Sequence, residues 1–173
     1  MREIRRDIFR AVGKADALCV TTNGGIRRDG LAVMGRGVAL RAKNLFPGID
    51  RTLAELITRN GNIVQPLLET SGTTILAFPV KPAFSVANRD LSNVVTHLRH
   101  QFRPGDRIPG FASIAWPSIV AESARQLRAL ADQRQWRLVA LPPAGSGNGQ
   151  LEWSSVRPLL AEHLDDRFVV CHL

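Results

Sequence analysis

Four stretches of this chain are apolar and β-prone with little interruption: Ala15–Thr22, Thr73–Val80, Arg137–Leu141 and Arg167–Leu173. A strand that meets the core on one side alternates apolar and polar residues. A continuous apolar run therefore predicts a strand buried on both faces. Between these runs the period changes. Pro117 to Trp136 places Ile119, Val120, Ala124, Leu127, Leu130 and Ala131 at helical spacing, with charges on the opposite face. Gly37 to Phe46 predicts a helix stopped before Pro47, Asp50 suits the cap of a helix reaching about Arg59, and Glu152 to His163 predicts another. Strands alternating with helices predict an α/β fold, its mostly parallel sheet covered on both sides. The stretch from Ser85 to Trp116 has the weakest pattern: a helix is expected within Asp90–Phe102, and Arg103–Gly110 is a turn-rich connection.

The pattern also says where chemistry belongs. In such sheets ligands bind beyond the carboxyl ends of the strands. Asn23, Lys81 and Gly145 all fall there, although they are far apart in sequence. Leu141-Pro-Pro-Ala-Gly-Ser-Gly-Asn-Gly-Gln-Leu-Glu-Trp153 reads as a strand end, a glycine-rich loop and a helix start. Backbone N–H groups exposed at such a turn, beside the positive end of a helix, suit a phosphate. Met34-Gly-Arg-Gly-Val-Ala39 repeats the logic more than a hundred residues earlier. Two such loops suggest a pyrophosphate clamped from both sides. The chain has neither a Walker lysine motif nor a full dinucleotide fingerprint, which disfavours other nucleotide-binding α/β folds.

Composition adjusts this picture only in part. A length of 173 residues fits one domain, and 45% hydrophobic with 22% charged residues is ordinary for a soluble protein. No apolar run is long enough to span a bilayer, and Met1-Arg-Glu-Ile-Arg-Arg-Asp7 is not a signal peptide, so a cytoplasmic protein with no membrane association is expected. Cys19 and Cys171 lie in strand-like apolar segments and read as buried thiols. The net charge of +8 invites a polyanion, so nucleic acid is an option as part of the substrate. Only Lys14, Lys43 and Lys81 are lysines, and the arginines are scattered, with Arg2, Arg5, Arg6 and the Arg27-Arg28 pair the tightest clusters. Few aromatics accompany them, so no stacking platform for single strands is indicated. His97 and His100 stand one helical turn apart but lack a third ligand nearby, so no metal site is expected.

The three segments Asn23 to Ala39, Phe78-Pro-Val-Lys81 and Leu141 to Trp153, in this order and spacing, resemble the macrodomain family of ADP-ribose-binding proteins. The similar branch is that of the bacterial DNA ADP-ribosyl glycohydrolase antitoxin DarG and the terminal ADP-ribose protein glycohydrolase. The resemblance implies a single three-layer α/β/α macrodomain over 1–173, with a mixed, mostly parallel central sheet and a family-divergent insertion at about 82–115. It further implies roles. Asp7, followed by Ile8, would accept a hydrogen bond from the adenine amino group, as an ionised carboxylate can. Asn23 would bond the distal ribose hydroxyls, and also suits a left-handed turn before Gly24-Gly25. Met34, Gly35, Arg36, Gly37, Val38 and Ala39 would wrap the pyrophosphate and distal ribose. Ala144, Gly145, Ser146, Gly147, Asn148 and Gly149 would close from the other side. Leu151 and Trp153 read as anchors for the following helix. Lys81 would carry the chemistry, as an amine attacking the anomeric carbon or forming an imine, helped by a lowered pKa; the alternative is a lysine that only pairs with phosphates.

The chain departs from that pattern in three places. The segment Gly24–Met34 is longer than in the antitoxin. Gly149 stands where the protein glycohydrolase has an acidic residue, so a mechanism needing that carboxylate is not expected. Ser146 stands where a cysteine is common. The implied function is a glycohydrolase, without cofactor, that removes ADP-ribose from a modified nucleic acid or protein, working as a monomer. A non-catalytic ADP-ribose reader and an ADP-ribose 1″-phosphate phosphatase are the alternatives.

Overall fold

A computed structural model describes residues 1–173. Its elements, in chain order, are β1 (Arg2–Arg5), β2 (Ala17–Asn23), α1 (Gly37–Leu45), α2 (Ile49–Asn60), β3 (Gln65–Thr70), β4 (Thr73–Lys81), β5 (Phe84–Val86), β6 (Arg107–Pro109), α3 (Pro117–Arg134), β7 (Val139–Leu141), α4 (Trp153–Ala161) and β8 (Phe168–His172). Short 3-10 helices lie at Ile8–Ala11, Thr96–Gln101 and Gly110–Ala112. Six strands form one mixed sheet in the order β1-β8-β7-β2-β4-β3; every pairing is parallel except β3 with β4. No helix is long and apolar enough to cross a membrane.

The continuous apolar runs have the expected physical cause. Along β2, Ala17 and Cys19 face one core while Leu18 and Val20 face the other. Along β4, Leu76, Phe78 and Val80 join the first, Ile75 and Ala77 the second. Helices α3 and α4 cover the first face through Val120, Ala124, Leu127, Ala131, Val156 and Leu160. The second is covered by α1 and α2 through Ala42, Ile49, Leu53 and Ala54. This is the three-layer α/β/α arrangement. Cys19 and Cys171 are buried free thiols, and burial pushes the Cys19 thiol up.

Three expectations need correction. Asp50 does not cap α2: the cap is Gly48, at φ 89°, and Asp50 sits buried in the first turn, where Lys43 Nζ meets it at 3.0 Å. Asn23 is not a left-handed turn residue; it is the last residue of β2, and its backbone φ is not positive. In the segment Asp90–Phe102 the helical part is the 3-10 helix Thr96–Gln101 and not an α-helix. Positions 82–115 hold that helix, the β5–β6 hairpin and Gly110–Ala112 around a small separate cluster of Ala87, Val94 and Ile108.

Candidate functional site

Three parallel strands, β7, β2 and β4, end on one side of the sheet, and the loops that follow them meet there. Strand register places Asn23 beside Lys81 at the ends of β2 and β4, with a register irregularity between Thr22 and Asn23. Asn23 then shapes the loop after it: its Oδ1 accepts from the Gly25 amide at 2.9 Å, and its Nδ2 donates to the Val33 carbonyl at 3.1 Å. One side-chain amide thus pins both stems of the 24–33 excursion, whose stem carries an Ile26–Ala32 bridge. The chain then enters α1 at Gly37, where the free N–H groups of the first turn point the positive end of the helix at the site.

The second glycine loop closes from the opposite side. Gly37 has φ +57°, and a Cβ there would stand 2.9 Å from the Asn148 Nδ2, so the two loops touch at these residues. Gly145, at φ +75°, packs against Ala115, Leu151 and Val120. Gly149 is a glycine for packing reasons: a Cβ would collide with the Gly145 carbonyl oxygen and with the Ala115 methyl. The space is too small for an acidic side chain. Ser146 turns away from the site and donates to the Pro143 carbonyl at 2.8 Å.

Between the loops lies a cavity of about 280 Å³. It brings together Asn23, Gly35, Arg36, Ala39, Lys81, Gly145, Gly147, Asn148 and Gly149 from the expected set. Gly37 and Val38 are not among the lining residues. The Met34 and Ala144 side chains are buried in the two cores and can offer only backbone to a ligand. Asp7 and Ile8 do not reach this cavity. Ile8 is a core residue, and Asp7 borders a second hollow of about 220 Å³. Asp7 caps the first 3-10 helix by accepting from the Phe9 amide at 3.0 Å, and its Oδ2 accepts from Arg41 at 2.6 Å. The Arg41 guanidinium, which also lies over the Phe9 ring, holds the Asp7 carboxyl below its ordinary range. Leu151 packs on the first core, whereas Trp153 also bonds Glu3 through its indole N–H.

Lys81 is the most unusual group present. It is 7% exposed, and its Nζ donates to the backbone carbonyls of Phe111 at 3.3 Å and Asn148 at 3.0 Å. Burial, and then the nearby Arg36 charge, bring it down to about 8. Arg36, Lys81 and His97 are the titratable side chains on the wall, and no carboxylate is among the lining residues.

Sequence reasoning missed part of the wall. His97, Leu98 and Phe111 line the cavity from the 82–115 segment, and Thr21, Thr22 and Val80 line it from the strands. Thr22 Oγ1 is buried without a partner. Nothing local marks His97 and Phe111. They arrive through long-range bonds: Thr96 N and Oγ1 both donate to Gln150 Oε1, and the Ala115 amide donates to the Gly149 carbonyl.

No family model matches this sequence. No curated protein matches it either. Solved structures do match by shape. The macrodomain of Thermus aquaticus DarG superposes with a TM-score of 0.68 at 22% identity, covering 99% of this chain and 97% of that one. The macrodomain of Mycobacterium tuberculosis DarG gives 0.68 at 19% identity with the same coverages. Thermosipho africanus DarTG, solved in complex with ADP-ribose, gives 0.65 at 19% identity, covering 99% of this chain and 41% of that one. Sheet order, layers and these superpositions agree: the chain has the macrodomain fold.

Proposed function

We propose that this chain binds ADP-ribose between its two glycine loops and releases it from a modified nucleic acid or protein, with Lys81 carrying the chemistry. The observation that supports this reading is a buried amine, lowered to about 8, held by the Asn148 carbonyl of the second glycine loop on the wall of a cavity that the first glycine loop also lines. The fold is shared with a Thermosipho africanus protein solved with ADP-ribose bound. In this reading the adenine lies toward Asp7 and Ile8. The pyrophosphate meets the amides of residues 35–39 and 145–149, and the distal ribose reaches Asn23. At neutral pH most Lys81 side chains carry a proton, roughly ten for each neutral amine. A protonated Lys81 suits donation to a departing acceptor better than direct nucleophilic attack.

One observation favours a second reading. Both bonds from Lys81 Nζ go to backbone carbonyls, which is also how a lysine serves purely as a brace. A non-catalytic reader would need nothing more. Turnover of ADP-ribosylated DNA, ADP-ribosylated RNA, ADP-ribosyl-glutamyl protein and ADP-ribose 1″-phosphate by wild type and Lys81→Ala separates the two. Release by wild type and none by the variant, with ADP-ribose binding kept, supports the hydrolase. Binding without release on all four establishes the reader.

A further inference from the structure

We propose that His97 is the proton acceptor of the hydrolytic step, acting across the cavity from Lys81. The inference rests on the hydrolase reading above. It begins with what the wall lacks. Hydrolysis at an anomeric carbon needs one group to take a proton from water and another to give a proton to the leaving atom. Of the ionisable side chains on the wall, the Arg36 guanidinium has donors and no acceptor, and the Lys81 ammonium is already a donor to two carbonyls. With no aspartate, glutamate, cysteine or tyrosine lining the cavity, the imidazole is the remaining base.

Backbone and side-chain bonds hold the segment around His97 in place. The 3-10 helix Thr96–Gln101 is tied at its first residue to Gln150, next to the glycine loop, by two bonds of 3.0 and 3.2 Å. The Val95 amide donates to the Ala112 carbonyl at 2.8 Å, and Arg99 Nε donates to the Val94 carbonyl at 3.1 Å. His97 is therefore tied, through Thr96 and Gln150, to the loop that would grip the ligand. Its side chain stands at the mouth, open to solvent on one side, where a water can reach it.

The charges around it fit the role. Partial shielding from water, followed by the charges of Arg36, Lys81 and His100, lowers the His97 pKa, so the ring is neutral and able to accept at neutral pH. In the step, a water oxygen bonds to the anomeric carbon while its proton passes to the imidazole. The bond from the anomeric carbon to the acceptor breaks, its electron pair stays on the acceptor atom, and that atom takes the Lys81 proton. The net charge of the wall is unchanged, because the ring gains a proton as the ammonium loses one. The removal of the Lys81 charge also relieves one of the repulsions that oppose His97 protonation. Afterwards the proton returns from imidazolium to amine, the stronger base.

The test is the pH dependence of kcat on the four substrates named above, for wild type, His97→Gln, His100→Gln and Lys81→Ala. The expected wild-type profile is bell-shaped, with an acid limb from His97 and an alkaline limb from Lys81. His97→Gln loses about a hundredfold or more in kcat and loses the acid limb, while ADP-ribose affinity measured by calorimetry stays within about threefold. His100→Gln, one turn away and off the wall, keeps the wild-type kcat and both limbs, with the acid limb moved slightly upward because one of the charges that lower the His97 pKa is gone. His97→Gln turning over at the wild-type rate, or keeping the acid limb, overturns the role of His97 while leaving Lys81 in place. Wild type that binds ADP-ribose but turns over none of the four overturns the hydrolase reading itself.

Discussion

The Lys81 ammonium donates to the Asn148 carbonyl at 3.0 Å, joining the end of β4 to a residue 67 positions later in the glycine loop. That bond lies on the cavity wall and, with the Ala115 amide to the Gly149 carbonyl, holds the second loop near the strand ends. It also ties the titration of one buried amine to the position of the loop expected to hold the pyrophosphate.

The two loops can be tested separately from the fold. A Cβ added at Gly35 or Gly147 would meet no atom within 4 Å, and neither residue has positive φ. Gly35→Glu and Gly147→Glu should therefore fold with little change in Tm. Each places a carboxylate where a diphosphate is expected, and each should weaken ADP-ribose by about a hundredfold, equivalent to about 2.7 kcal/mol. Gly149→Ala should do the reverse, costing about 1–3 kcal/mol of stability through its clash with the Gly145 carbonyl and Ala115. Calorimetry with ADP-ribose beside thermal denaturation reads both. Unchanged affinity in the two glutamate variants would remove the phosphate role of the loops.

These glycines were legible in the sequence because a loop between a buried strand and a helix leaves a local signature. The strands β2, β4, β7 and β8 were legible for a related reason, as they are buried on both faces and so are largely apolar. β1 was not. Arg2-Glu3-Ile4-Arg5 is an exposed edge strand, recruited by backbone pairing with β8 and not by apolar pattern. β3 hid behind Pro66 and the polar residues of another edge. The 82–115 segment has little periodicity because backbone bonds within the segment itself hold it, such as Ile114 N to Asn93 O and Val95 N to Ala112 O. Its contribution to the wall, His97 and Phe111, depends on those bonds and leaves no mark in the neighbouring residues.

Asn23 illustrates how a binding residue can be a structural one as well. Asn23→Ala removes the bonds to Gly25 and Val33 together, both partly buried, at an expected cost of about 1–2 kcal/mol. Asn23→Asp keeps the acceptor for the Gly25 amide but sets an oxygen against the Val33 carbonyl. Its affinity for ADP-ribose should fall further than that of Asn23→Ala, since it also adds negative charge to the wall. Equal affinities in the two variants would argue that Asn23 acts only through the loop.

Asp50, which is not on the cavity wall, provides a stability test. Burial works against its charged form, but Lys43 at 3.0 Å and the Arg51 amide outweigh it, and the carboxyl is held below its ordinary value of 3.8. A lowered carboxyl stabilises the fold above the unfolded pKa, and that stability disappears as pH falls through the folded one. Asp50→Asn should cost about 1–2 kcal/mol at pH 7, with the difference shrinking below pH 3.8. Denaturation midpoints of both proteins at pH 7 and pH 3 measure it. A pH-independent difference would assign the loss to packing.

Lys81 has the opposite sign. Its folded pKa, about 8, lies below the ordinary 10.5, so between these values the unfolded chain binds more protons than the folded one. Stability attributable to Lys81 therefore rises with pH across that window, and at neutral pH the residue is a net burden on the fold. Lys81→Met keeps the stem and removes the charge. It leaves the Phe111 and Asn148 carbonyls beside the cavity, which has room for a water to replace the lost donor. The variant should be more stable than wild type at pH 7, by about 1–3 kcal/mol. The gain should shrink from pH 8 upward and be nearly gone by pH 10.5. Chemical denaturation at pH 7 and pH 10 tests this directly. A loss of stability at pH 7 would mean that the two carbonyl bonds outweigh the burial of charge, which would make Lys81 a brace and favour the reader over the hydrolase.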